Sequence, residues 1–437
     1  YLDILAKNPH YHDKIEFEVA FTVWTPAYSQ NARRRLSTYG INEHEIDLLA
    51  TALKGITCLA INRLNNDVEP ISILRDRRQQ IINSDLEPLD MAFALLDDCK
   101  RFGTLAFSHA ARAGFIATSL LNGCVQTGRL SEKRLLSFMR SIKTVAGEFE
   151  DDKHAVAQGH QSREQLIERY GHLRPGTNDV FSQAYWEDPD RYLTQNTPID
   201  HISTHQFSLS QEEQNSISQM LKEMGSDTSV DEFYTYLVNA IQLRESVKFD
   251  FTQNLSLALD ACIQMGKAYG LNREQIAFLE YGDIEQLKIN GINKKSLIKL
   301  IQKRKQAHFV TQLIELPHLI LQKRDFYCFE RRASMPNYVT TDSIIAEIAS
   351  IDSIEASMLK GKIVLIPQAD PGYDWLFGYG IGGLITKYGG ANSHMAIRAA
   401  EMALPAAIGV GEKLYEAISN MHSLELDCGN HVIREVE

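Results

Sequence analysis

The chain has 437 residues, 44% hydrophobic and 23% charged, with a formal net charge of −11. This is the composition of a soluble protein with room for two or three cored domains. Its acidic balance excludes the basic footprint of a nucleic-acid-binding protein. No apolar run reaches the ~20 residues of a membrane helix, and no secretory signal opens the chain. The expectation is therefore a cytoplasmic protein with no nucleic-acid and no membrane partner. Cys58, Cys99, Cys124, Cys262, Cys328 and Cys428 are dispersed, with no Cys-x-x-Cys pair. They read as reduced thiols, mostly small core residues, and Cys428 is the one candidate for reactivity. The first residues, Tyr1 to Leu5, read as the middle of something, so a fragment of a longer protein is expected.

Residues 12–25 alternate, with Ile15, Phe17 and Val19 on one face, which predicts a half-buried strand. From about residue 42 to 324 the period becomes helical. Apolar residues recur at three- and four-residue spacing over 86–121, 130–149, 212–224, 230–257 and 275–302. No repeat of fixed period accompanies them, which argues against a solenoid. Residues 333–343 are turn-rich and predict a linker or hinge. Beyond them, short apolar strands are predicted at 362–367, 383–386, 406–409 and 424–427, with helices at 373–379, 394–403 and 412–419. The fold class expected is a mainly α domain over 1–332, a hinge at 333–343, and a small α/β domain over 344–437.

Three polar stretches stand out in the helical part. Around Pro175-Gly176, a tight-turn pair, lie His172, Arg174, Thr177 and Asp179. They form either a structural turn held by Asp179 or a substrate loop. In the second case His172 or Asp179 is the acid–base candidate and Arg174 fixes a carboxylate or phosphoryl oxygen. His109 and Arg112 share a helix face. Arg112 sits among Ala, Gly and Phe, where a cation is costly unless paired or facing a pocket, so it is either an anion ligand or a paired structural residue. Arg244 and Lys248, one turn apart with Glu245 between, read as a salt-bridged face.

The densest motif lies near the C-terminus. An apolar strand runs into Gly389-Gly390; Asn392 and Ser393 can cap a helix; and that helix opens with His394 and ends at Leu404-Pro405, where proline disfavours helix in the residue before it. Backbone N–H groups at such a terminus point outward and favour an anion. This is a setting for an imidazole that takes a phosphoryl group. Arg398 shares its face and can contact a phosphoryl oxygen.

This string resembles the phosphohistidine signature of the phosphoenolpyruvate-utilising enzymes: Gly389, Gly390, Asn392, Ser393, His394, Ala396, Ile397, Pro405, Ala406 and Gly409 fit. Met395 and Ala400 depart from it, standing where a small residue and an arginine are usual. The resemblance implies a swivelling phosphohistidine domain with His394, Ser393 and Arg398 as catalytic residues and Gly389 and Gly390 as the phosphoryl-binding turn. The string from Tyr170 to Thr177 is similar to the glutamine kinase branch of dikinase-like phosphotransferases, which are built as nucleotide, acceptor and phosphohistidine domains. That likeness implies an N-terminal ATP-grasp domain, absent from this chain, which uses ATP and Mg²⁺ and loads His394 while splitting ATP to AMP and phosphate. It implies a small polar acceptor such as L-glutamine at His172, Arg174, Thr177, Asp179, Arg112 and His109, with no metal and no cofactor held by these 437 residues. No Gly-x-x-x-x-Gly-Lys-Ser/Thr loop is present, and the fragment alone is expected to be inactive. Too little chain follows His394 for a pyruvate-binding β/α barrel. A phosphoenolpyruvate synthase-type enzyme acting on pyruvate, with its barrel on a separate polypeptide, and a phosphocarrier or regulatory module remain as alternatives.

Overall fold

A computed structural model describes residues 1–2, 5, 19–143, 145–175, 179–193, 207–291, 293–317, 319–328, 336–351, 358–390 and 393–436. The chain is mainly helical up to Gln312, followed by a seven-stranded sheet, as the change of hydrophobic period predicts. It divides into two compact units. One comprises Lys14–Glu148 and His201–Ala258, the other Tyr1–Asp13, Phe149–Asp200 and Leu259–Glu437.

The first unit is built from helices. Its longest complete one, Glu43–Val68, starts at a capping box in which Asn42 and Glu45 satisfy each other's backbone N–H. It buries Ile46, Leu53, Thr57, Ile61 and Leu64 along one stripe. These pack with Ile116, Leu120, Phe138, Met220 and Phe233 in one core. The single run predicted over 86–121 is two helices, Pro88–Asp98 and Thr104–Gln126, joined by a π-helical turn at Cys99–Gly103. Gly103 passes so close to Phe251 that a Cβ would lie 2.5 Å from its ring.

The strand predicted at 12–25 is not formed in its described part, and residues 6–18 lie outside the described residues. The physical reason is that helix side chains take the backbone groups a sheet would need. Thr57 Oγ1 accepts from the Trp24 N–H at 3.0 Å, and Arg112 donates to the Thr22 carbonyl.

In the second unit the sheet comprises β1 (Asn337–Val339), β2 (Ser343–Ser350), β3 (Ile363–Gln368), β4 (Gly383–Tyr388), β5 (Ala406–Ile408), β6 (Ser423–Asp427) and β7 (Val432–Glu435). The order is β1-β5-β4-β3-β2-β6-β7, with β2 to β5 parallel along the centre and antiparallel pairs at both ends. Residues 363–366 and 383–386 are buried throughout, which is why they read as unbroken apolar runs. Within the turn-rich stretch 333–343, Asn337–Val339 pairs with β5, and residues 329–335 lie outside the described residues.

The helical segments of the same unit pack on the sheet-bearing part through aromatic rings. Tyr185 stacks on Tyr192 at 4.6 Å, and Tyr192 meets Trp375 edge-on at 5.6 Å. Tyr185 donates to the Gly372 carbonyl at 2.7 Å, and Tyr379 to the Arg191 carbonyl at 2.9 Å. Gly372 fits because it is glycine: a Cβ there would lie 1.7 Å from the Arg174 carbonyl oxygen.

Candidate functional site: a histidine at a helix N-terminus

Strand β4 delivers the chain to the glycine turn. Gly389 has φ of +143°, and a Cβ on it would lie 2.7 Å from the Ala369 Cβ, so the position is closed to larger residues. Thr386, fully buried, ties the turn to the end of β5 by accepting the Gly409 N–H at 2.9 Å and donating to the Tyr388 carbonyl at 3.0 Å. Ser393 then caps the helix His394–Glu401, its hydroxyl accepting from the Ala396 N–H at 3.4 Å. Asn392, the other predicted cap, lies outside the described residues. Met395 and Ala399 are fully buried and fix the helix on the sheet. Met395 thus occupies its core position with a long apolar chain.

His394 and Arg398, one turn apart, converge on a carboxylate that sequence reasoning did not single out. The segment Pro371–Tyr379 forms a 3₁₀ helix, and its Asp374 is 7% exposed among Trp375, Leu376 and Phe377. His394 Nε2 lies 2.8 Å from Asp374 Oδ1, and Arg398 Nε 3.6 Å from the same oxygen. Burial alone pushes the Asp374 carboxyl up, but His394 and Arg398, with a smaller contribution from Lys153, outweigh it and hold the group below its ordinary value. A proton on Nε2 would bridge the 2.8 Å between the imidazole and the ionised carboxylate. Arg398 also lies over the Phe377 ring, 5.5 Å from its centroid.

Lys153, from the helix Val145–Ala157, is 3% exposed and pairs with Glu150 at 2.7 Å. Its Nζ comes within 3.3 Å of where a Gly378 Cβ would stand, four residues beyond Asp374 in the 3₁₀ segment. Burial, with Asp374 and other nearby acids adding to it, raises the Tyr185 phenol far above its ordinary value, so it remains a neutral donor. The arrangement is two buried acids, Asp374 and Glu150, set among an imidazole, a guanidinium and an ammonium.

The residues nominated for the acceptor have different surroundings. His172 is buried at 1% exposure, in the unit that holds His394. Arg174, 2% exposed, donates to Asp260 at 2.9 Å and to the Ser182 carbonyl at 3.0 Å. It braces the segment after the Pro175 turn. Asp179 is exposed and accepts from the Phe181 N–H at 2.9 Å. Thr177 and Gly176 lie outside the described residues.

Arg112 and His109 belong to the other compact unit. There Arg112 is bonded to the Thr22 hydroxyl and carbonyl, and His109 Nδ1 lies 3.3 Å from Asp67. Arg244 lies 3.7 Å from Glu245 and over the Phe115 ring, in keeping with a paired face. That unit also holds a cavity of about 630 Å³, lined among others by Asn62, Asp227, Asp231, Glu232 and Asn239. None of the nominated residues lines it. Cys428 is 1% exposed, with its thiol pushed up by burial, which makes it a core residue and removes the reactivity considered for it. Among the described residues, no helix is long and apolar enough to cross a membrane, and no group of three or more His, Cys, Asp or Glu gathers to hold a metal ion.

A comparison with curated proteins found no match to the chain. Residues 358–431 match the family model for the PEP-utilising enzyme, mobile domain. Enzymes of that family are phosphotransferases, and the mobile domain is the part that carries a phosphohistidine, so the match supports phosphotransfer as the chemistry around His394. The segment bearing the glycine turn, Asp374 and His394 is accordingly similar to the mobile domain of the PEP-utilising enzymes.

Proposed function

We propose that the chain is the acceptor-binding and phosphoryl-carrying part of an ATP-dependent phosphotransferase. In this reading an ATP-grasp domain, with Mg²⁺, loads His394 while splitting ATP to AMP and phosphate. The mobile domain then delivers the phosphoryl group to a small polar acceptor, with L-glutamine the leading candidate. ATP and Mg²⁺ are assigned to that other domain, so no residue here is assigned to hold them.

The observation that carries the reading is the placement of His394: first residue of a capped helix, behind a glycine turn, inside the segment that matches the mobile domain. The chemistry suits it. A neutral imidazole is a good nucleophile near neutral pH, and phosphoryl transfer asks chiefly for positioning and charge stabilisation. Arg398 is close enough to the imidazole to share Asp374 with it, and can turn to a phosphoryl oxygen.

The test uses the full-length protein with ATP and a panel of small acceptors, following AMP release and acid-labile phosphate on the protein. Acceptor-dependent AMP release and loss of acid-labile phosphate in His394→Asn are the expected results. Phosphate retained on the His394→Asn protein would refute the assignment. Dependence on pyruvate would replace it with the phosphoenolpyruvate synthase type, and AMP release indifferent to any acceptor with a carrier module.

A further inference from the structure

The atom that has to react is already engaged. Of the two imidazole nitrogens, Nε2 stands farther from the backbone, and it is buried. In this structure it faces Asp374 Oδ1 at 2.8 Å, and the two side chains are only 13% and 9% exposed. A phosphoryl group bonded to Nε2 would occupy the space where that carboxylate oxygen now lies. It would also bring close to two negative charges against a buried, ionised carboxylate. The nearby cations do not remove the conflict. Arg398 is shared with Asp374, and Lys153 is paired with Glu150.

We propose that Asp374 is a positioning residue that holds the unloaded His394 at Nε2 and must release it before the phosphoryl group can be accepted there. This rests on the reading of His394 as the phosphoryl carrier. The arrangement seen is thus a resting state that recognises the empty histidine. Loading requires the ring to leave Asp374 and to exchange its Nε2 proton, through water, for one on Nδ1, with no net change in protons. The Nε2 lone pair then forms the N–P bond as the donor's bond to phosphorus breaks, and the bonding electrons depart with the leaving group.

The groups facing the imidazole and its carboxylate define the pH response. They are Asp374 on the Pro371–Tyr379 segment, Arg398 on the histidine's own helix, Lys153 with Glu150 on the Val145–Ala157 helix, and the neutral Tyr185 phenol. Asp374 favours the protonated, unreactive imidazole, whereas the two cations oppose it.

The test needs no partner domain, because phosphoramidate, a small phosphoryl donor that releases ammonia, modifies histidine directly. The intact chain and Asp374→Asn are treated with it from pH 5.5 to 8, and acid-labile phosphate on His394 is followed, with His394→Asn as the blank. Asp374→Asn should load about tenfold faster at pH 6, with the acid limb of its profile moved down by roughly one pH unit. Asp374→Glu should return towards the native rate.

Circular dichroism checks that each variant is folded. A long-range ¹H–¹⁵N spectrum of the native protein gives an independent readout: His394 should be protonated at Nε2, and a native ring protonated only at Nδ1 overturns the inference. Phosphate on His394 with the same rates and profiles in native and Asp374→Asn proteins overturns the inference and leaves the carrier reading intact. No phosphate on His394 in any variant overturns both.

Discussion

Arg174→Ala separates a structural arginine from a ligand-binding one. The Arg174 side chain is 1% exposed and that of Asp260 20%. Besides Arg174, Asp260 receives the Trp186 indole N–H at 3.1 Å. Removing one partner of a buried pair costs about 3–5 kcal/mol because the other charge is left behind. Asp260 keeps some water and the indole, so a value near the lower end, about 3 kcal/mol, is expected here. For a unit of this size that lowers the melting temperature by roughly 6–12 °C, measured by circular dichroism on the intact chain.

The pH dependence gives the second half of the test. Burial already raises the Asp260 pKa above its ordinary value, with Arg174 acting to lower it. Without Arg174 it rises further. A carboxyl whose pKa is higher folded than unfolded binds its proton more tightly in the native state, so stability increases as pH falls from the folded towards the unfolded value. The deficit of Arg174→Ala should therefore be largest at neutral pH and shrink on acidification. A variant as stable as the native protein, or a deficit unchanged between pH 7 and 5, would refute the brace and return the arginine to the list of acceptor ligands.

Two further outcomes follow from close approach and from burial. Gly389→Ala places a Cβ 2.7 Å from the Ala369 Cβ at a φ of +143°; it should cost about 2 kcal/mol or more in a denaturant titration, whereas a loss under 0.5 kcal/mol would mean the turn relaxes freely. Of the free thiols, Cys328 is exposed while Cys99, Cys124, Cys262 and Cys428 are buried, with burial pushing Cys99 and Cys262 up to about 12. A chromogenic disulfide reagent under native conditions should label Cys328 first, as peptide mapping would show, and early labelling of Cys428 would contradict its placement in the core.

Much of the fold was legible because the hydrophobic period changes once, and changes sharply. The central strands announce themselves as unbroken apolar runs because both faces are covered. The helices Gln211–Met224 and Glu412–Ser419 were readable from their spacing to within a residue. The sheet's edges were not. β2 alternates exposed and half-buried residues over its first six positions, a weak signal beside the helices before it, and β1 is three residues long inside a turn-rich stretch. The early strand failed for the opposite reason. Its alternation was clear, but a strand needs a partner's backbone, and the Thr22 carbonyl and Trp24 N–H are taken by Arg112 and Thr57. Periodicity reports which face is buried and says nothing about which groups satisfy the backbone.

The same asymmetry divides the site. Gly389, Gly390, Ser393 and His394 fall within six residues, and capping, turn geometry and helix dipole are local properties that a string of residues can display. Asp374 comes twenty positions earlier, and only the crossing of the 3₁₀ segment behind the helix brings its carboxylate to the imidazole. A signal existed nonetheless: a single acid between Tyr373 and Trp375 in an otherwise apolar run cannot be buried without a cation or a proton donor. The two arginines nominated as anion ligands show the converse. Arg112 was picked because a cation in an apolar setting needs a partner and Arg174 because it stands beside a Pro-Gly turn, and each has a protein partner, in Thr22 and Asp260. The rule that buried charge must be compensated identifies where a partner is required; whether that partner is substrate or protein depends on contacts made far along the chain. His394 differs because the carboxylate that compensates it occupies the position its phosphoryl group would need.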